Sequence, residues 1–106
     1  MRTAEVVIIN PSGLHARPGA HFRNLATTWQ SKIRVENLTR SVGPVDATSI
    51  LGILKLGAGK GHRLSLSVEG PDEDEAIAAL VASIETGLGE PIEGSSTAEA
   101  PAAATD

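Results

Sequence analysis

The stretch VVIINPSGLHARPGAHFRNLATTW, residues 6–29, carries the signals for a strand, a tight turn and a helix in succession. The β-branched run at residues 6–9 predicts a strand, and Asn-Pro-Ser-Gly at residues 10–13 predicts the turn that ends it. Beyond Ala16 the apolar residues recur at the i, i+3, i+4 and i+7 spacing of one helix face, as Phe22, Leu25, Ala26 and Trp29. His15 is therefore predicted at the N-terminus of a helix.

Three further strands are predicted downstream. Alternation of apolar and charged residues predicts one at residues 32–36, and a less regular strand returns over residues 37–45, where Gly43-Pro44 interrupts it. The clearest alternation in the chain lies at residues 64–69 and predicts the last strand.

Two further helices complete the predicted elements. The apolar segment SILGIL predicts one or two helical turns beginning near Ser49. A longer helix is predicted after Asp72, which together with Glu75 resembles a capping box, and Gly87 marks its end. The order strand, helix, strand, strand, short helix, strand, helix predicts an α+β fold, an open-faced sandwich with the helices on one face of a small sheet.

Size and composition limit the functions open to the chain. Its 106 residues suit one small domain without a large substrate cavity, and a single Phe and a single Trp offer no stacking surface for nucleic acid. The absence of cysteine excludes disulfides and thiolate metal sites. No apolar run is long enough to cross a bilayer and the N-terminus is unlike a signal peptide, so we expect a cytoplasmic protein without membrane insertion.

The two ends of the chain differ in composition. Residues 1–40 hold six of the nine Lys and Arg but two of the thirteen acidic residues, so His15 lies in a basic half. The last residues are rich in Ala, Ser, Thr and Pro and lack an apolar anchor. We therefore predict one domain at residues 1–89 and a disordered tail at residues 90–106.

A histidine at a helix N-terminus faces unpaired amides and the positive end of the helix dipole. This setting disfavours imidazolium and favours an anion, so it suits a neutral, nucleophilic ring that carries a negatively charged group. Arg17 can donate charge-assisted hydrogen bonds to such a group, and Ser12 can add its hydroxyl. The simpler interpretation is a histidine that helps to cap the helix beside a surface arginine.

Two motifs resemble those of a known family. The string GLHARP at residues 13–18 resembles the active-site signature of the HPr family, the histidine phosphocarriers of the bacterial phosphoenolpyruvate-dependent phosphotransferase system. The string DATSILGILKLGAGKG at residues 46–61 is similar to the second signature of that family. The resemblance covers about residues 3–89 and implies four antiparallel strands covered by three helices.

The resemblance also implies a role for each residue of the first motif. His15 would accept the phosphoryl group through Nδ1 and Arg17 would stabilise it, with Ser12 and the amides of Ala16 and Arg17 around its oxygens. Pro18 would fix the helix start. The donor would be phosphorylated enzyme I and the acceptor a sugar-specific EIIA, and neither a metal nor another cofactor is implied. We expect a monomer that is a carrier rather than an enzyme, because the partner completes the site.

The second motif implies regulation and docking. Ser49 matches the serine that an HPr kinase/phosphorylase modifies in many Gram-positive relatives, and plain helix capping is the alternative role for it. Ile50, Leu51 and Leu54 match an apolar patch that docks partners in the family. We expect these three side chains to be at least partly exposed, whereas the alternative is that all three belong to the core.

Other interpretations fit less well. The glycine-rich stretch at residues 57–61 lacks the first glycine and the Ser or Thr of a P-loop, and His15 and His21 lie six residues apart, which is unsuited to a metal pair on one helix face. Two alternatives to a sugar phosphocarrier stay open. One is a paralogous carrier of a nitrogen-related or dihydroxyacetone kinase branch, and the other is a regulatory binding module, which the presence of His15 disfavours.

Overall fold

A computed structural model describes residues 1–90 of the chain. Residues 91–106, which hold all of the predicted tail except Glu90, lie outside the described part. The element order confirms the prediction, with β1 Arg2–Val7, α1 Ala16–Ala26, β2 Lys32–Asn37, β3 Val42–Asp46, α2 Ile50–Lys55, β4 Arg63–Glu69 and α3 Glu73–Glu85.

The four strands form one antiparallel sheet in the order β1-β4-β2-β3. Strand β4 lies between β1 and β2, so that Leu66 faces Ala4 on one side and Val35 on the other. Side chains on alternate positions of β4 are fully buried, whereas Ser65 and Ser67 are half-buried on the opposite face. The clearest alternation in the sequence therefore belongs to a central strand with one face against the core.

The helices cover the apolar face of this sheet and close a single core. Phe22 of α1 and Leu80 of α3 are fully buried, and so is Ile53 of α2. Because Phe22 is the one phenylalanine of the chain, aliphatic side chains fill nearly all of the remaining volume. Complete burial of each large aliphatic side chain stabilises the fold by about 1.5–3 kcal/mol.

Strand β3 forms one edge of the sheet and pairs with β2 alone. Its pairing with β2 is irregular between Val35 and Asn37, and it contains Gly43 and Pro44. An edge strand tolerates proline because one side of its backbone has no neighbouring strand to bond. The predicted strand over residues 37–45 is therefore shorter than expected, because β3 begins at Val42, and it runs through Gly43-Pro44 with a shift in register rather than a break.

The predicted capping box at the start of α3 is wrong. Asp72 is the N-cap residue, but its carboxylate forms no capping bond and instead accepts hydrogen bonds from the Ser31 hydroxyl, the Gln30 amide at 2.8 Å and the Ser31 amide at 3.0 Å. The Ser31 hydroxyl and the Gln30 amide lower the pKa of Asp72. Asp72 thus joins α3 to the segment before β2, and Glu73 rather than Glu75 reaches back, to the Gly70 amide at 3.1 Å.

Helix α1 ends one turn earlier than its apolar spacing suggests. It stops at Ala26, where the Thr27 and Thr28 hydroxyls donate to the carbonyls of Asn24 and Leu25, both at 2.7 Å. Such local side-chain bonds compete with continuation of a helix. Trp29 still packs against the core, but it does so from the turn. Within residues 1–90, no helix combines the length and apolarity needed to cross a membrane.

Candidate functional site

His15 lies in the loop that joins β1 to α1, and two turns shape this loop. The Gly13 amide donates to the Asn10 carbonyl and the His15 amide donates to the Ser12 carbonyl, both at 3.2 Å. Leu14 is fully buried and anchors the loop in the core, whereas His15, Ala16 and Arg17 are exposed. The loop therefore presents the imidazole to solvent on a fixed base.

Gly13 brings this loop into backbone contact with the segment after α2. The Leu14 amide donates to the Ala58 carbonyl at 3.0 Å, and a Cβ atom placed on Gly13 would lie 2.2 Å from that carbonyl oxygen. The φ angle of Gly13 is +60°, in the left-handed region that favours glycine. The contact requires glycine at this position, and the backbone conformation favours it.

The segment that receives Gly13 is itself fixed by a turn. Gly57 and Gly61 have left-handed φ angles of +57° and +89°, and the Gly59 amide donates to Nδ1 of His62 at 3.0 Å. The stretch of glycines is therefore a structural turn that supports the His15 loop, which agrees with the rejection of a nucleotide-binding P-loop.

The first turn of α1 places unpaired amides beside His15. His15 is the N-cap residue, with extended backbone angles, and its side chain forms no capping hydrogen bond. The interpretation in which the His15 side chain helps to cap the helix is therefore wrong. The amides of Ala16 and Arg17 have no partner within the helix because they precede its first i to i−4 bond, and Pro18 has no amide hydrogen. Ala16 has a φ angle of +49°, a conformation that costs a non-glycine residue about 1–3 kcal/mol.

Arg17 and Pro18 line a surface depression at the start of α1. Its volume is about 190 Å³, and its other walls are Leu88, Gly89 and Glu90 from the segment after α3. Arg17 is exposed and Pro18 is buried. The depression thus combines the exposed cation of Arg17 with the backbone of the segment after α3 and the carboxylate of Glu90.

Glu90 is a member of the site that the sequence analysis missed. Its Oε1 accepts hydrogen bonds from the Ser12 amide and from Nδ2 of Asn10, both at 2.9 Å, and its Oε2 accepts from the Ser12 hydroxyl at 2.6 Å. The Ser12 hydroxyl, followed by the Asn10 amide, lowers the pKa of Glu90. Nothing in the local sequence indicates this contact, because Glu90 stands 78 residues from Ser12 in the first position of the predicted tail.

Helix α2 carries the second group of predicted residues. The Ser49 hydroxyl accepts a hydrogen bond from the Gly52 amide at 3.1 Å, as expected of a helix N-cap. The exposed fractions of Ile50, Leu51 and Leu54 are 38%, 69% and 40%. The expectation that they are at least partly exposed is therefore confirmed, and the alternative that all three belong to the core is wrong. The Arg23 guanidinium donates to the Thr48 carbonyl at 3.0 Å and links α1 to the start of α2.

A comparison with protein families identifies the group to which this site belongs. A family model described as the PTS HPr component phosphorylation site matches residues 2–86. The chain belongs to the HPr family. The predicted resemblance to the HPr family, the phosphocarriers of the phosphotransferase system, is therefore confirmed.

Individual HPr proteins match most of this chain over nearly their whole length, and they share its fold. The chain is 41% identical over 90 residues to the phosphocarrier protein HPr of Cupriavidus necator, which covers 85% of this chain and 98% of that protein. A crystal structure of HPr-C-His from Thermoanaerobacter tengcongensis superposes with a TM-score of 0.80 at 44% identity, covering 87% of this chain and all of that one. The HPr fold, four antiparallel strands with three helices, is thus confirmed.

A second group of relatives is much longer. The chain is 40% identical over 88 residues to the multiphosphoryl transfer protein of Salmonella typhimurium, which covers 83% of this chain but 23% of that protein. The chain therefore spans about a quarter of the length of these relatives.

Within residues 1–90, no cluster of three or more His, Cys, Asp or Glu side chains has the geometry to hold a metal ion.

The contact between Gly13 and Ala58 yields a test of how the loop is held. We expect Gly13→Ala to destabilise the protein by more than the roughly 1–2 kcal/mol of left-handed backbone strain, because its Cβ would also collide with the Ala58 carbonyl. Gly61→Ala is the matched control, since Gly61 has a φ angle of +89° but no atom within 4 Å of the added Cβ. Urea denaturation measures the free energy of unfolding of both variants. Equal losses of unfolding free energy would show that the contact adds nothing to the strain.

Proposed function

We propose that this chain accepts a phosphoryl group from phosphorylated enzyme I on Nδ1 of His15 and transfers it to an EIIA-type acceptor of sugar uptake. The observation that carries this proposal is the exposed His15 imidazole, free of any capping role, next to Arg17 and two unpaired helix amides. Membership of the HPr family supports the same chemistry.

The transfer step forms a phosphorus–nitrogen bond at His15 and breaks the bond that joins the phosphorus to the donor. The lone pair on Nδ1 of neutral His15 attacks the phosphorus, and the bond between phosphorus and the donor breaks with its electron pair remaining on the donor. Delivery to the acceptor reverses these roles. The carrier thus needs an unprotonated nucleophile and a place for the phosphoryl oxygens, and it needs no cofactor of its own.

The residues around His15 suit a phosphoryl group by charge and by hydrogen bonding. Phosphorylation of a side chain adds about −1.5 to −2 charge and three acceptor oxygens. The amides of Ala16 and Arg17 and the Ser12 amide and hydroxyl are candidate donors, and the helix dipole adds a partial positive charge. Arg17, exposed on the first turn, can turn toward these oxygens and form the charge-assisted bonds.

The shape of the site supports a carrier rather than an enzyme. Arg17 lines a depression of about 190 Å³, too small to enclose a substrate and a second reacting group. The remaining catalytic groups would come from whichever partner covers His15. We place this function in the cytoplasm, where enzyme I and EIIA would meet the carrier, and we infer that it acts as a monomer.

Ile50, Leu51 and Leu54 supply a docking surface for those partners. They form an exposed apolar patch on α2, and α2 packs against α1, whose first turn carries His15. Exposed apolar clusters with a polar rim are typical of interaction sites. The proximity of this patch to the His15 loop favours its use by the donor and by the acceptor alike.

Regulation at Ser49 is a second candidate function, favoured by the N-cap geometry. The Ser49 hydroxyl lies at the start of α2, where a phosphate would meet the amides of the first turn and the positive end of the helix. A phosphate there would also place negative charge beside the docking patch. An HPr kinase/phosphorylase would then control how well partners bind.

The identity of the acceptor separates the remaining alternatives. A carrier for a nitrogen-related or dihydroxyacetone kinase branch would use the same His15 chemistry with a different acceptor. The similarity to multiphosphoryl transfer proteins supports phosphoryl transfer and does not select among these acceptors. A regulatory module without phosphoryl transfer is disfavoured because His15 and Arg17 are both present and exposed.

Phosphorylation of purified full-length chain tests the central proposal. Incubation with enzyme I and phosphoenolpyruvate is expected to add one acid-labile, base-stable phosphate, detected by mass spectrometry. His15→Ala is expected to abolish it, whereas His21→Ala, which removes another exposed histidine of the same helix, is expected to retain it. Arg17→Ala is expected to slow labelling roughly ten- to hundred-fold, as for loss of a charged hydrogen bond, without changing the Tm. Labelling that persists in His15→Ala would refute the assignment.

Introduction of a positive charge into the apolar surface tests the docking patch. Leu51→Lys is expected to lower the affinity for enzyme I and EIIA at least about ten-fold, because a lysine in a desolvated contact loses its hydration. Val7→Lys is the control, since Val7 is 42% exposed on β1 outside the patch. Calorimetric titration measures both. Equal affinities for the two variants would exclude the patch from the interface.

Incubation with an HPr kinase and ATP tests regulation at Ser49. We expect a single phosphate on Ser49, located by fragmentation mass spectrometry and absent from Ser49→Ala. The Ser49 phosphoprotein is then expected to accept phosphate from enzyme I more slowly than the unmodified protein. A chain left unmodified at Ser49 by an active kinase would rule this regulation out.

A further inference from the structure

The Ser12 donors near His15 are already occupied by an acid of the chain itself. Ser12 offers one amide hydrogen and one hydroxyl hydrogen, and the carboxylate of Glu90 accepts both, at 2.9 and 2.6 Å. The third bond to this carboxylate comes from Nδ2 of buried Asn10 at 2.9 Å. A carboxylate thus fills a set of donors suited to the oxygens of a phosphoryl group.

The backbone that follows α3 positions this carboxylate next to Ser12. Gly87, Leu88 and Gly89 have left-handed φ angles of +93°, +56° and +81°, so the chain reverses direction as it leaves the helix. Leu88 is 2% exposed and anchors the reversal in the core, and the Glu90 amide donates to the Gly87 carbonyl at 2.9 Å. Glu90 is therefore held in place by the backbone that follows α3 as well as by Ser12.

The carboxylate is also charged under ordinary conditions. Its pKa lies below the usual value of a glutamate, chiefly because the Ser12 hydroxyl donates to it. Glu90 therefore presents a negative charge to the loop at neutral pH. Two anions that compete for the same pair of donors oppose each other both through hydrogen bonding and through charge.

We propose that Glu90 competes with the phosphoryl group of His15 for the Ser12 amide and hydroxyl, so that phosphorylation displaces its carboxylate from Ser12. This inference rests on the proposed function of His15. Glu90 is then a positioning residue that acts through Ser12. It holds the loop in the unphosphorylated state and lowers the stability of the phosphorylated state.

The competition is reciprocal because both events share one equilibrium. If Glu90 weakens phosphorylation of His15 by a given factor, phosphorylation of His15 weakens the bond between Glu90 and Ser12 by the same factor. Loss of the Ser12 bonds and the charge of the phosphate both raise the pKa of Glu90. The phosphorylation state of His15 would therefore be transmitted to the segment that follows α3.

Four variants of the full-length chain separate competition from simple structural support. Glu90→Gln removes the charge and keeps an oxygen that can accept from Ser12, and Ser12→Ala removes the contested hydroxyl. The double variant measures the coupling between the two positions. Glu85→Gln is the matched control, because Glu85 is an exposed glutamate at the end of α3.

Phosphoramidate serves as the phosphoryl donor, because its phosphorus–nitrogen bond breaks to release ammonia as the bond to His15 forms, without a partner protein. Intact-mass spectrometry follows the fraction labelled at a fixed donor concentration and the rate of phosphate loss after the donor is removed. Carboxyl NMR of the wild type, with and without phosphate on His15, follows the titration of Glu90. Thermal unfolding of each variant records its stability.

Glu90→Gln is expected to lose phosphate roughly five-fold or more slowly than the wild type, while Glu85→Gln behaves as the wild type does. In the Ser12→Ala background the same change should have a much smaller effect. The pKa of Glu90 is expected to rise on phosphorylation. A lower Tm of Glu90→Gln with slower phosphate loss is consistent with competition, whereas structural support alone predicts lower Tm and poorer labelling.

Labelled Glu90→Gln that loses phosphate as fast as the wild type, or faster, would overturn the competition and leave the proposed function intact. So would an unchanged pKa of Glu90 on phosphorylation. A wild-type chain that takes no phosphate on His15 from phosphoramidate or from phosphorylated enzyme I would overturn the proposed function, and with it this inference.

Discussion

The contact between Gly13 and the Ala58 carbonyl is the constraint on which the arrangement of the site depends. It allows the Leu14 amide to bond to Ala58 at 3.0 Å, and Leu14 in turn enters the core. The same contact places the start of α1 next to the turn that follows α2. A glycine without a side chain thus lets the backbone of the His15 loop meet the backbone of the turn after α2.

A phosphocarrier has to meet two opposed requirements, and the His15 loop meets them by different means. The proposed transfer requires an imidazole that is accessible to two partners in turn, and the His15 side chain is exposed and takes no part in capping the helix. It also has to keep its position, so the residues before it are buried or hydrogen bonded. The left-handed Ala16 adds strain of about 1–3 kcal/mol that these surrounding contacts have to balance.

The fold and the central residues of the site could be predicted from the sequence because their signals are local. Alternation gives the strands, helical spacing gives the helices, and the motif around His15 lies within six consecutive residues. The errors concern side chains that bond across the fold. Asp72 follows the pattern of a helix cap, yet donors on the segment before β2 satisfy its carboxylate, and Glu90 looks like the first residue of a tail, yet it reaches Ser12. No sequence pattern encodes a contact over 78 residues between single polar side chains.

The contact between Glu90 and Ser12 also changes how the charge of the site is understood. Arg17, the helix amides and the helix dipole make the start of α1 an attractive place for any anion, including free phosphate from the surroundings. The Glu90 carboxylate accepts hydrogen bonds from part of this donor set. Because it belongs to the same chain, it is present at a high effective concentration and cannot diffuse away. Because it occupies the Ser12 donors, it lowers the affinity of the loop for free anions. It leaves the imidazole exposed, so access to His15 is not blocked. In the proposed competition, the stability of the resting loop and the lability of a phosphate on His15 are two results of the same hydrogen bonds.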